Sequence, residues 1–139
     1  MRTFFDTNVL VYLFDADAPT KQARARKLLA READAGRATL STQVLQEFFV
    51  TVTRKLAVPL AVEEAERIVR RLADFSVVQI DPGLILSAIA TSVRSSISFG
   101  DALIIRSAQQ SGAEILYTED LQNGQKFDGL EIVDPFRES

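Results

Sequence analysis

Short apolar runs alternate with stretches of helical period along the whole chain. Thr3-Phe4-Phe5 is a brief apolar run that ends at Asp6, and residues 8–14 follow as a short apolar helix. Pro19 opens a second helix running to about residue 34, with Gly36 as its stop signal. A second short strand is predicted at 38–40. Ser41 or Thr42 can cap the next helix, 43–56, and another helix follows at 62–73. Val77-Val78-Gln79-Ile80 reads as a third strand, closed by Asp81-Pro82-Gly83. Helices at 84–94 and from Gly100-Asp101 to Gly112 precede a fourth strand at 114–117 and a fifth at 130–133. This alternation predicts an α/β fold: a central parallel sheet of about five short strands, covered by helices on both faces. No linker, repeat or low-complexity tract divides the 139 residues, so one domain, 1–139, is expected.

Composition then narrows the chemistry. Hydrophobic residues are 47% and charged residues 25%, as in an ordinary globular protein. No apolar run is long enough to span a bilayer. An acid at position 6 interrupts any signal-peptide pattern, so a cytoplasmic protein is expected. There is no Cys, which removes disulfides, thiolate nucleophiles and Cys-based zinc sites. There is no His, which removes imidazole bases and Ser-His-Asp triads. Enzyme chemistry would then rest on carboxylates, hydroxyls, Lys, Arg or a bound metal, and any metal site would be made of oxygen ligands, favouring Mg²⁺ or Mn²⁺ over Zn²⁺. The net charge of −3 does not suit a strongly basic nucleic-acid binder, but a cation can bridge protein and phosphate.

Four acids draw attention by position. Ligands of open parallel sheets bind outside the carboxyl ends of the strands. Asp6 directly follows the first strand, and Asp120 lies just beyond the fourth. They flank one crevice if the strand order reverses beside the first strand. Asp101 projects with the apolar Ile104, Ile105 and Ala108 of its helix, where an unpartnered carboxylate is costly. The spacing Ser98 to Asp101 also fits a capping box, a purely local role. Glu47 borders the stripe Val44, Leu45, Phe48, Phe49, Val52 and Leu56, which suits a cleft wall and a solvated face equally.

Taken together, four segments resemble the PIN-domain family, and within it the VapC-type toxins of bacterial toxin–antitoxin pairs. They are Phe4-Phe5-Asp6-Thr7-Asn8-Val9-Leu10, Leu40-Ser41-Thr42-Gln43-Val44-Leu45-Gln46-Glu47-Phe48, Ser98-Phe99-Gly100-Asp101-Ala102-Leu103-Ile104 and Leu116-Tyr117-Thr118-Glu119-Asp120-Leu121-Gln122. One departure is Gly100, where a bulky aromatic often precedes the third acid. The resemblance implies a three-layer α/β/α fold and a Mg²⁺-dependent endoribonuclease leaving a 3′-hydroxyl and a 5′-phosphate. Asp6, Glu47, Asp101 and Asp120 would be its catalytic and metal-binding acids, around one or two ions, with Glu119 a possible substitute for Asp120. Such a cation activates water and stabilises charge on the leaving oxygen.

Thr7, Asn8, Ser41, Thr118 and Glu119 are candidates for orienting those acids, although each also suits a local turn or cap. Arg54 and Lys55 are candidate RNA contacts, with Arg70, Arg71 and Arg94 behind them. A small antitoxin with a basic tail and a homodimer are further family expectations, the helices 19–34 and 62–73 offering a groove for the antitoxin. Three other classes remain open. A phospho-receiver-like signalling domain shares strand-end acids, but here Asp6 stands alone, Asp81 precedes Pro82-Gly83, and Lys126 is the only late lysine. A phosphatase with an Asp-Thr nucleophile motif would want an acid where Asn8 stands. A catalytically inactive PIN-like binding module is the remaining alternative.

Overall fold

A computed structural model describes residues 1–137. Its elements in chain order are β1 (Arg2–Phe5), α1 (Thr7–Tyr12), α2 (Pro19–Asp34), β2 (Ala38–Ser41), α3 (Thr42–Arg54), α4 (Val62–Leu72), β3 (Ser76–Val78), α5 (Pro82–Ser95), α6 (Phe99–Gln110), β4 (Ala113–Tyr117), β5 (Lys126–Phe127) and β6 (Leu130–Val133). The local signals act as expected. Pro19 sits at the start of α2, Ser41 Oγ accepts from the Val44 N–H, and Gly36 and Gly112 take positive φ just past their helices.

The sheet order is β3-β2-β1-β4-β6-β5. All pairs are parallel except β5 with β6. The sheet thus has six strands, one more than the periodicity predicts. The extra strand is the first arm of a hairpin turning at Asp128-Gly129, where both φ angles are positive. Two residues are too short to show an alternating pattern.

From β1 to β3 the chain steps outward in one direction, then crosses back over the sheet to β4. Right-handed crossovers therefore put the helices between β1 and β3 on one face, and α5 and α6 on the other. With both faces covered, adjacent strand residues are buried alike: Phe4, Phe5, Leu40, Leu116 and Ile132 are all sealed from solvent. Ile104, Ile105 and Ala108 of α6 join this core. The strand order reverses at β1, between β2 and β4, and this opens a crevice at the carboxyl ends of β1 and β4. Among the described residues, no single helix is long and apolar enough to cross a membrane.

Candidate active site

Asp6 occupies that crevice. It follows the last residue of β1, where Phe5 pairs with Tyr117 of β4, and its backbone N–H donates to the Tyr117 carbonyl at 3.0 Å. Its side chain is only 5% exposed and accepts two hydrogen bonds, from the Thr7 N–H at 2.7 Å and from Thr118 Oγ1 at 2.8 Å. Burial pushes its pKa up to about 7; the Thr118 and Thr7 bonds oppose that rise, and the charges of Asp120 and Glu47 add to it. Two acids from remote segments thus act on Asp6.

Glu47 reaches the same place from α3. Its Oε1 accepts from Thr7 Oγ1 at 2.8 Å, so Thr7 links two acids, one through its backbone and one through its hydroxyl. Asn8 ties α1 to the chain beyond β4: its Nδ2 donates to Thr118 Oγ1 at 3.2 Å, and its Oδ1 accepts the Glu119 N–H at 3.4 Å. Thr118 Oγ1 also accepts the Asp120 N–H at 3.1 Å. Thr7, Asn8 and Thr118 therefore contact the acids or their backbone. Ser41 does not; it is fully buried and spends its hydroxyl on the α3 cap.

Glu119 and Asp120 point to different tasks. Glu119 accepts from Tyr12 Oη at 2.6 Å and pairs with Lys21 Nζ at 2.8 Å. Asp120 lines an open cleft of about 590 Å³ with Thr7, Asn8, Tyr12, Glu47 and Lys55. Arg54 is exposed and does not line this cleft. Arg70 is held by Glu66 of its own helix at 3.1 Å. Arg71 and Arg94 are exposed.

Asp101 stands in the first turn of α6, half-buried, outside the lining of that cleft. Ser98 Oγ accepts the Asp101 N–H at 3.1 Å, so the serine half of the capping box forms. The acid half does not: among the described residues, the Asp101 carboxylate has no hydrogen bond or ion pair. Gln43 spans the gap to it, donating to the Gly100 carbonyl at 3.2 Å and to Glu47 Oε2 at 3.4 Å. The sequence offered one signal for Gln43, its place one helical turn before Glu47; Tyr12 and Lys21 had none.

Among the described residues, no three acidic side chains converge closely enough to form a ready ligand set for an ion. The donors do fit a hydrated divalent cation. They are all oxygens, the charges of Glu47 and Asp120 add to the rise that burial imposes on Asp6, and Mg²⁺ commonly keeps several waters while taking one or two carboxylates directly.

Asp81, the acid a receiver domain would phosphorylate, lies at the edge of the sheet beyond β3. It caps α5 by accepting the Leu84 N–H at 2.8 Å, two strands away from Asp6. The helices 19–34 and 62–73 line separate apolar hollows. One, with Leu45, Phe49 and Val69, lies between α3 and α4; the other, with Leu29, Leu13 and Phe75, lies beside α2.

The family model for the PIN domain matches residues 3–126, from the first strand to the last acid and beyond. The chain belongs to the PIN-domain family. Several solved structures share the PIN fold with it. A toxin–antitoxin complex from Klebsiella pneumoniae has a chain 22% identical, with TM-score 0.70, covering 96% of this chain and 97% of that one. A Sarcin-Ricin loop cleaving VapC toxin of Mycobacterium tuberculosis is 21% identical, with TM-score 0.64, covering 82% and 86%. A DNA-bound VapBC of Salmonella typhimurium is 18% identical, with TM-score 0.67, covering 97% and 98%. No curated protein is similar enough in sequence to be matched.

Proposed function

We propose that this PIN-domain chain is a Mg²⁺-dependent endoribonuclease, the toxin of a toxin–antitoxin pair. The observation that carries the reading is the buried Asp6 at the crossover point, raised to about pKa 7 and acted on by Glu47 and Asp120. A cluster of that kind destabilises the fold unless a cation balances it, and with neither His nor Cys it is the evident route to phosphodiester hydrolysis. Resemblance to the VapC toxins, one of them a Sarcin-Ricin loop cleaving toxin, supports RNA as the substrate.

Asp6, Glu47, Asp101 and Asp120 would hold the ion, or two ions, directly or through water; Mn²⁺ suits the same oxygens. When bound, the cation supplies charge for the scissile phosphate and lowers the pKa of water. The protein's own work is orientation. Thr7 fixes Glu47, Thr118 fixes Asp6, and Asn8 holds the turn that carries Asp120. Glu119, engaged by Tyr12 and Lys21, steadies that turn. Lys55 contacts the RNA backbone from the cleft wall, with Arg54 a peripheral contributor.

A small antitoxin belongs to this reading, supported by the toxin–antitoxin complexes among the structural relatives. The acidic cleft suits an Arg-bearing tail. The apolar hollow between α3 and α4 shares Gln46 and Val50 with the cleft, so one bound segment can run from one into the other. A homodimer is also part of the proposal, supported by the exposed apolar stripe Leu86, Ile89 and Val93 on α5.

The deciding experiment incubates purified protein with a pool of structured RNAs, with and without Mg²⁺, and maps the cut sites. Cleavage is expected only with the metal, and Asp6→Asn or Asp101→Asn should abolish it with the fold intact. Equal cleavage by wild type and both variants would sink the assignment. The spacing of the acids favours a second reading, RNA binding without cleavage; retention of RNA with no cleavage at any metal concentration would select it.

A further inference from the structure

Gln43 is 8% exposed and sits on the face of α3 that carries Glu47, four residues earlier. Its amide nitrogen faces two acceptors, Glu47 Oε2 and the Gly100 carbonyl. Its Oε1 is buried and has no partner among the described residues. Turning the amide over would set oxygen against oxygen at both contacts, so the neighbours dictate its orientation. The orphaned oxygen follows from that choice.

A buried acceptor left unpaired is destabilising. An unbranched apolar side chain of similar length would fill the same space without that penalty. Such a side chain would give up the pair of bonds to Glu47 and Gly100, which offset the penalty of the orphaned oxygen. What the amide provides is a bridge between the Glu47 carboxylate and the peptide preceding Asp101. The bridge uses the Gly100 carbonyl and does not need the glycine itself: a Cβ at Gly100 would lie 3.9 Å from Gln43 Nε2, an ordinary contact.

We propose that Gln43 is a positioning residue of the active site, its amide nitrogen setting the separation between Glu47 and Asp101. The inference rests on the metal-dependent reading above. Its test is Gln43→Met, which keeps length and packing while removing both the donor and the orphaned oxygen. Mn²⁺ binding is followed by calorimetry and by electron paramagnetic resonance of the free ion, and stability by thermal melting without metal. The expected result is a Tm equal to or above wild type, with Mn²⁺ affinity weakened about tenfold or more. In cleavage assays, the Mg²⁺ concentration for half activity should rise more than kcat at saturation falls. Gln43→Asn, which keeps the amide but withdraws it by one methylene, should lose affinity in the same way.

Unchanged Mn²⁺ affinity in either folded variant overturns the bridge, and so does a lowered Tm with unchanged affinity. Wild type that binds no Mn²⁺ overturns the metal-dependent reading together with this one. Wild type that binds Mn²⁺, with loss in Asp6→Asn but none in Gln43→Met, overturns the bridge alone.

Discussion

Thr118 Oγ1 donates to Asp6 Oδ2 at 2.8 Å, with both residues closed off from solvent. The same hydroxyl accepts from Asn8 Nδ2 and from the Asp120 N–H. One donor and two acceptor positions exhaust what a hydroxyl can offer. Thr118→Val keeps the shape and removes all three bonds. The expected cost is about 1–3 kcal/mol of stability, since buried polar partners lose their bonds. Metal affinity should fall roughly 10- to 100-fold, as is typical when a group orienting a ligand is lost. Thr118→Ser should restore most of both. Urea denaturation and Mn²⁺ titration read the two effects, and wild-type affinity in Thr118→Val would remove Thr118 from the site.

Asp6 also predicts an unusual pH profile. Its carboxyl is raised from 3.8 to about 7, so between those values the folded chain keeps a proton that the unfolded chain releases. The unfolded state then binds fewer protons, and stability falls as pH rises through this window. The penalty is absent below about pH 4 and complete above about pH 7; the shift corresponds to roughly 4 kcal/mol. Asp6→Asn should flatten the urea midpoint across pH 4 to 8 and exceed wild type at pH 8. Added Mg²⁺ should raise wild type at pH 8 and leave Asp6→Asn nearly unchanged. A wild-type midpoint that climbs across this window would contradict the burial assigned to Asp6.

Much of this arrangement was legible in the sequence because the signals are local. The helix starts and stops at Pro19, Ser41, Gly36 and Gly112 each rest on a few neighbouring residues. Asp6 was legible because a buried strand ends at it. The hairpin at Asp128-Gly129 carried a turn signal too, but β5 is too short for an alternation to support it. The meeting of Asp6 with Asp120 depended on strand order, which periodicity does not encode. The sequence does not separate Glu119 from Asp120, because the partner Lys21 lies 98 residues away, beyond any local pattern. The Gln43 bridge lay half in view: the Glu47 side follows from helical spacing, while the Gly100 side is a tertiary contact.

Lys55 is the cationic residue that lines the acidic cleft, beside Glu47 and Asp120. Lys55→Ala should raise KM for RNA several-fold and lower the salt dependence of binding, because a phosphate contact releases a counterion. Mn²⁺ affinity should change little. Arg54→Ala, outside the cleft lining, should have a smaller effect. Filter binding over a series of salt concentrations separates the two, and an unchanged salt slope for Lys55→Ala would exclude the phosphate contact.

The two neighbouring acids after β4 provide the sharpest comparison, because they differ by one position and only one of them is engaged by other side chains among the described residues. Asp120 has no side-chain partner among the described residues and looks into the cleft. Glu119 is taken up by Tyr12 and Lys21, and its bond to Lys21 raises the pKa of that lysine. Asp120→Asn should weaken Mn²⁺ binding and slow cleavage at least tenfold, with stability unchanged or slightly higher as repulsion on Asp6 is relieved. Glu119→Gln should do the reverse. It loses part of a partly exposed ion pair, worth less than about 1 kcal/mol, and keeps metal affinity within about threefold. Lys21→Ala should resemble Glu119→Gln in both measurements, since it breaks the same contact from the other side. If Glu119→Gln proves the more damaging to Mn²⁺ binding, the roles of the two acids are exchanged, and the Lys21 contact must open when the cation binds.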